Sequence, residues 1–152
     1  VQTCALPICS EKNYATNYIK NNNLNNIKIF GPFNSNTTLN IIKKSKACLL
    51  TLKNEKIFSL TIPNKFQTYL YAGKPIIASV NGEVSKIIKK KKIGFVDKAE
   101  DSELLKKNIL KLFFNRKYIK NMSITSRRFY KKNYDINTQS IKLLNIFKEN
   151  NE

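Results

Sequence analysis

Histidine is absent from this 152-residue chain. Its absence removes a zinc centre built on imidazole, and it removes Ser-His and Cys-His nucleophiles. Cysteine is scarce, with Cys4, Cys9 and Cys48 only. That is too few for the stapled framework of a small secreted domain, and Cys48 falls in an apolar run where a buried thiol is ordinary. Four glycines are present, and they form neither a G-x-G-x-x-G nor a Walker phosphate loop. No internal repeat is visible. No apolar run reaches the roughly 20 residues needed to cross a bilayer. A cytoplasmic protein is therefore expected, with peripheral attachment at the inner face of the membrane as an addition to that reading.

Negative charge is also scarce. Ten acidic residues face 28 basic ones, for a formal net charge of +18. Such an excess invites a nucleic-acid or anionic-membrane reading, because clustered cations release counterions from phosphate surfaces. The cations, however, are almost all Lys; the arginines are Arg116, Arg127 and Arg128. Lys, Asn and Ile together make up about two-fifths of the chain, and all three are served by A/T-rich codons. Codon bias therefore accounts for much of the charge, and no nucleic-acid partner is expected. Base recognition would need Arg forks or stacking aromatics in a groove. The densest run, Lys86 to Lys92, sits at a predicted helix C-terminus, where the macrodipole favours cations. Its alternative role is peripheral contact with an anionic bilayer.

What the chain does contain is an alternation of strand-length apolar runs and amphipathic segments. The patterning predicts helix 11–21, strand 27–30, helix 38–44, strand 47–52, helix 65–72 and strand 75–79. It continues with helix 83–91, strand 94–96 and helices 102–115, 117–130 and 138–148. This order predicts an α/β fold with a Rossmann-like parallel sheet and helices on both faces. At this length the chain holds one hydrophobic core.

The segment from Phe58 to Pro75 is the most specific. Asn64 is predicted to be the N-cap of a short helix, with Gln67 completing a capping box. Phe66, Tyr69 and Leu70 share one face, Gly73 stops the helix and Pro75 prevents its resumption. Its first amides, with the Lys65 ammonium, would hold an anion at the carboxyl edge of the sheet. A second loop, Asn81-Gly82-Glu83, follows the next strand and opens the next helix. It reads equally as a plain strand-to-helix turn.

These residues carry a resemblance. FSLTIPNKFQTYLYAGKP, with its flanks from Ala47 to Ile93, resembles the C-terminal domain of glycosyltransferase family 4, GT-B enzymes that bind a nucleotide sugar between two Rossmann-like domains. The similarity is greatest to a branch that transfers aminosugars such as N-acetylfucosamine in O-antigen or capsule assembly. Leu24 to Phe33 and Asp101 to Phe114 extend it more weakly. The resemblance implies a retaining, metal-independent transferase with no cofactor. Its donor would be a nucleotide sugar, UDP-linked by expectation, and its acceptor a glycan or polyprenol-linked sugar. It implies donor contacts at Ser59, Thr61, Asn64, Lys65, Thr68, Gly82 and Glu83: Lys65, the amides of Asn64 and Lys65, and Ser59 or Thr61 on the diphosphate; Gly82 admitting close backbone approach; Glu83 on a sugar hydroxyl. One departure matters. Where many members carry two glutamates, this chain has Leu60 and Thr68, which leaves Thr68 as a weaker candidate for the ribose contact.

The first eight residues, VQTCALPI, are encoded by codons resembling the end of a common short-read sequencing adapter. Residues 1–9 are therefore expected to be an adapter-derived segment and its junction, the alternative being an unusual natural N-terminus. The remainder is expected to comprise a truncated nucleotide-sugar-binding domain at 10–133 and a final helix at 134–152 that packs on a missing first domain. Catalytic residues would lie in that missing domain, and the fragment alone would be inactive. The rival readings are a non-enzymatic Lys-rich module for anionic membrane or nucleic acid, and a nucleotide-sugar epimerase of the same build.

Overall fold

The computed structural model describes residues 3–5, 12–30 and 32–149. The expected adapter-derived segment and its junction, apart from Thr3–Ala5, lie outside the described residues, as do the expected helix start at Glu11 and Gly31 of the Leu24 to Phe33 segment. The chain divides into two compact units, Val1–Thr38 and Leu39–Glu152.

In the first unit, β1 (Thr3–Ala5) pairs in parallel with β2 (Ile27–Ile29), and α1 (Lys12–Asn21) lies between them in sequence. The next helix, α2 (Ser35–Lys44), starts three residues earlier than expected. Asn34 explains the shift, because its Oδ1 accepts the Thr37 amide at 2.8 Å and so caps the first turn.

The second unit holds a three-stranded parallel sheet in the order β3 (Cys48–Thr51), β4 (Ile76–Ser79), β5 (Gly94–Asp97). Between β3 and β4 come α3 (Lys56–Leu60) and α4 (Asn64–Tyr71); α5 (Gly82–Lys91) joins β4 to β5. The chain then runs through α6 (Ser102–Phe114), α7 (Arg116–Asn133) and α8 (Ile136–Glu149). β4 is central and buried along its whole length, which is why it reads as a continuous apolar run rather than an alternating one. Alternate residues feed opposite faces. Ile76 and Ala78 join Leu50, Phe66, Leu70, Val84 and Ile88 on one face. Ile77 joins Leu112 and Met122 on the other. Helices thus cover both faces, as the alternation of elements predicts. β3 forms one edge of this sheet, and its Leu49 is 45% exposed.

The α7 helix reaches both clusters, contributing Phe129 and Tyr130 to one and Met122 to the other. At its middle Ser126 is fully buried and donates from Oγ to the carbonyl of Lys74 at 3.2 Å. The hydroxyl therefore ties α7 to the turn before β4. At this amino-terminal end of the sheet, burial pushes the Cys48 thiol up to about 11, opposed by its hydrogen bond with Ser45 and by Lys74. Burial also holds the nearby Lys74 ammonium below its usual range.

Three helices end in left-handed residues, the first at Asn23 (φ +51°) after α1, where Asn23 donates to Lys20 and Leu24 to Ile19. After α4, the Gly73 amide (φ +64°) donates to Leu70 and that of Lys74 to Tyr69, a Schellman closure at the predicted glycine. After α5 the same closure falls on Lys92 (φ +54°), with Lys92 donating to Lys89 and Ile93 to Ile88. A side chain with a Cβ is strained there, by roughly 1 kcal/mol. Lys92→Gly is therefore expected to stabilise the protein by about 0.5–1 kcal/mol. A urea unfolding midpoint raised at unchanged m-value would register the gain.

Candidate functional site

Because all three strands run parallel, their following loops gather at one edge. The α4 helix leads back to the start of β4, so its N-terminus points toward that same carboxyl edge. The α5 and α6 helices begin there too.

The local chemistry of α4 differs from the sequence expectation in one respect. Asn64 is not the N-cap but the first helical residue; Pro63 (φ −69°, ψ 146°) occupies the cap, and no side chain hydrogen-bonds there. The extended backbone fixed by the proline ring lets the Pro63 carbonyl accept the Phe66 amide at 2.9 Å, so the helix begins one residue early. The Asn64–Gln67 capping box is consequently not formed. This leaves the leading amides of α4 without a side-chain cap. The α5 helix also lacks a side-chain cap, although Asn81 stands at its N-cap position. By contrast, Asp101 Oδ1 caps α6 by accepting the Leu104 amide at 2.9 Å.

The Asn81 side chain is engaged elsewhere. Its Nδ2 donates to Asn54 Oδ1 at 2.7 Å, and its Oδ1 accepts the Ala99 amide at 3.2 Å. One side chain therefore ties together the loops after β3, β4 and β5. Ser79 adds a second tie by donating from Oγ to the Lys98 carbonyl at 2.9 Å. Within the Asn81-Gly82-Glu83 loop the sequence assigns roles to Gly82 and Glu83 but none to Asn81. Its partners lie 27 and 18 residues away.

Gly82 is required by packing as well as by φ. Its torsion is +76°, and a Cβ placed there would lie 1.8 Å from the Ser59 carbonyl oxygen. The space beside this glycine is thus filled by the C-terminal turn of α3. The geometry brings Ser59 and Gly82 together, across a helix too short to show in the hydropathy pattern. Thr61 and Pro63 follow α3 directly, and Lys65 is exposed in the first turn of α4.

Three of the candidate side chains have partners within their own helices. Ser59 Oγ donates to the Lys56 carbonyl at 2.7 Å, and Thr68 Oγ1 donates to the Asn64 carbonyl at 3.0 Å. Glu83 accepts from Lys86 Nζ at 2.6 Å in a surface ion pair, an interaction of the kind worth at most about 1 kcal/mol. The Thr68 bond leaves the hydroxyl oxygen able to accept only. Among the described residues no group of three or more His, Cys, Asp or Glu could hold a metal ion, and no helix is long and apolar enough to cross a membrane.

No protein-family model and no curated protein matches the chain. The solved structures include a similar fold in a point mutant of S. aureus TarM, crystallised with Fondaparinux, alpha-GlcNAc-glycerol and UDP. The two are 18% identical, with a TM-score of 0.75 over 97% of this chain. The chain spans 29% of the length of that protein. A likeness at this identity is one of fold, and it agrees with the α/β architecture expected from the sequence.

Proposed function

We propose that this chain is the donor-binding part of a GT-B glycosyltransferase. In this reading it takes a UDP-linked aminosugar and serves transfer to a glycan or lipid-linked acceptor in cell-surface polysaccharide synthesis. The observation that carries the proposal is the start of α4 at the carboxyl edge of the parallel sheet, uncapped by any side chain and followed at once by the exposed Lys65. The fold shared with a structure that contains UDP supports the choice of nucleotide.

The chemistry follows from charge. Breaking the bond between sugar and diphosphate leaves negative charge on the departing oxygens. Fixed donors aimed at that charge lower the barrier without having to reorient. The amides of Asn64 and Lys65 lie at the positive end of the α4 dipole, and the Lys65 ammonium adds a full charge. Thr61, exposed in the extended segment before the helix, is the hydroxyl donor this reading assigns to the diphosphate. Retention of configuration and independence from metal belong to this proposal through the sequence resemblance; contact of Lys86 to Lys92 with an anionic bilayer is the alternative to their reading as solvated cations at a helix end.

Lys65→Ala tests the assignment. Since Lys65 is exposed, folding stability should stay within about 0.5 kcal/mol. The loss of a charge-assisted contact should weaken UDP binding about tenfold or more. Calorimetric titration of both proteins gives the comparison, and equal affinities would remove Lys65 from the site.

A further inference from the structure

Charge in the second unit is divided between the two ends of its sheet. From Leu39 to Tyr134 the acidic residues are Glu55, Glu83, Asp97, Glu100, Asp101 and Glu103. Each lies at the end of a strand, in the loop after one, or in the first turn of α5 or α6. All of them therefore stand at the carboxyl edge. Codon bias accounts for the number of lysines, but not for this segregation.

The opposite, amino-terminal end is covered by α7. Ser126 donates from Oγ to the Lys74 carbonyl before β4, and the Ile93 carbonyl before β5 stands 3.5 Å from the same oxygen. The helix thus crosses the starts of both strands, with Met122 and Ser126 buried on its inner side. At helical spacing on its outer side come Lys117, Lys120, Ile124, Arg128 and Lys131, all exposed. Between Leu104 and Tyr134 the sequence has ten cations, including all three arginines, and no Asp or Glu. The next acid, Asp135, is engaged at the start of α8, where it accepts from Thr138. The last turn of α5 joins this basic surface, since Lys91 Nζ lies 6.0 Å from the ring centroid of Phe129 in α7.

Apolar side chains project from the same end. The α6 helix runs back along β5, with Asn108 donating to Asp97 at the strand's end and Lys111 Nζ 4.8 Å from the Phe95 ring centroid nearer its start. Its final turn therefore emerges at the amino-terminal end. There Phe113 and Phe114 are 53% and 77% exposed, with their rings edge to face at 5.1 Å. Neither belongs to the clusters that flank the sheet. Asn115, Arg116 and Lys117 follow, also exposed, so the α6–α7 turn presents two phenyl rings beside two cations.

We propose that this end of the unit docks on an anionic lipid bilayer, with Phe113 and Phe114 inserted at headgroup depth and the outer cations of α7 set against the lipid charge. Shallow apolar insertion and cationic attraction are the two contributions that hold a protein at such an interface. Charge argues against a second copy as the occupant, because a symmetric contact would press two acid-free basic faces together. Rings packed edge to face offer no parallel platform for bases, which favours lipid over nucleic acid. The proposal differs from contact through the Lys86 to Lys92 run alone, because it requires the two rings. It turns the carboxyl edge toward water. It does not rest on the donor-binding reading, which its failure would leave untouched.

The chain contains no Trp, so Phe114→Trp places a single fluorescent reporter at the turn. Its emission is recorded with vesicles of phosphatidylcholine, alone or mixed with phosphatidylglycerol, and with acyl-chain-brominated versions of each. Co-sedimentation with the same vesicles compares the unmodified chain with the Phe113→Ser/Phe114→Ser double variant. Anionic vesicles should shift the emission to the blue and brominated chains should quench it, while neutral vesicles do neither. The double variant should partition at least about tenfold more weakly than the unmodified chain, through loss of apolar insertion. The tryptophan variant keeps an aromatic ring at the turn, so its result stands even where the serine pair unfolds the chain. Binding with unshifted emission, or equal partitioning of the double variant, would overturn the proposal in favour of charge contact alone. A blue shift that grows with protein concentration without vesicles would assign the rings to a second copy, and one produced by duplex DNA would assign them to nucleic acid. Either result, or no sedimentation with anionic vesicles, would overturn the bilayer assignment.

Discussion

Gly82→Ala should lower stability by about 3 kcal/mol and abolish nucleotide binding. Two costs combine. A Cβ at φ +76° carries the left-handed penalty of roughly 1–2 kcal/mol. The same atom would lie 1.8 Å from the Ser59 carbonyl oxygen and 2.5 Å from its Cα, and relieving such an overlap by backbone movement typically costs a further 1–3 kcal/mol. Backbone cannot swing aside as a side chain can, so α3 must move. That movement would shift Thr61 and Pro63, which lead into α4. Gly73→Ala provides the contrast. Its φ is +64°, but the added Cβ would meet only the Arg127 guanidinium, at 2.7 Å from Nε, and this exposed side chain can rotate away. Its cost should be about 1–2 kcal/mol, mostly torsional. For a chain of this size the Gly82 variant should melt about 6–12 °C lower. Scanning calorimetry that put the two variants at the same melting temperature would refute the packing argument.

Phe66→Ala should be at least as damaging. Phe66 is fully buried, lies in the cluster of Leu50, Ile76, Ala78, Val84 and Ile88, and is the largest wholly enclosed side chain. Removing a buried phenyl ring costs roughly 3–5 kcal/mol, part transfer free energy and part cavity. The α4 helix has only eight residues, so it depends on packing rather than on intrinsic propensity. Phe66 in its first turn and Leu70 one turn later attach it to the sheet. Losing the first anchor should fray the end that presents the Asn64 and Lys65 amides. UDP affinity should therefore fall by more than tenfold even in conditions where most molecules remain folded. Phe66→Leu, which keeps much of the volume, should recover most of both properties. Hydrogen exchange at residues 64–68 would separate local fraying from global loss, since fraying raises those rates above the rates for β4. Equal rates across α4 and β4 would contradict the account.

The parts of the fold that sequence exposes are those governed by local chemistry. β4 is a continuous apolar run because both of its faces are covered, and α4 ends where Gly73 supplies a left-handed residue before Pro75. The start of α4 was misread because Asn64 is a strong capping residue, whereas the extended Pro63 before it occupies the cap. The five-residue α3 was missed for a different reason. It has too few turns to display a 3.6-residue period, and its packing beside Gly82 becomes visible only in the assembled fold.

The site divides along the same line. The place of Lys65 in the first turn of a short helix was legible, because a helix bounded by proline and glycine is a local pattern. The role of Asn81 was not, since it depends on bonds to Asn54 and Ala99 that only the assembled sheet creates. Gly82 was expected to let the backbone approach a ligand; what lies against it is the backbone of Ser59.

The most direct test of the central claim is a titration of the isotopically labelled 152-residue chain with UDP, followed by amide chemical shifts. The account predicts saturable shifts confined to the carboxyl edge, at residues 52–55, 61–66, 80–83 and 98–102, with the amides of Asn64 and Lys65 among the largest. Absence of saturable shifts there, or shifts spread instead over the lysines of 86–92, would contradict a donor-binding site at this edge.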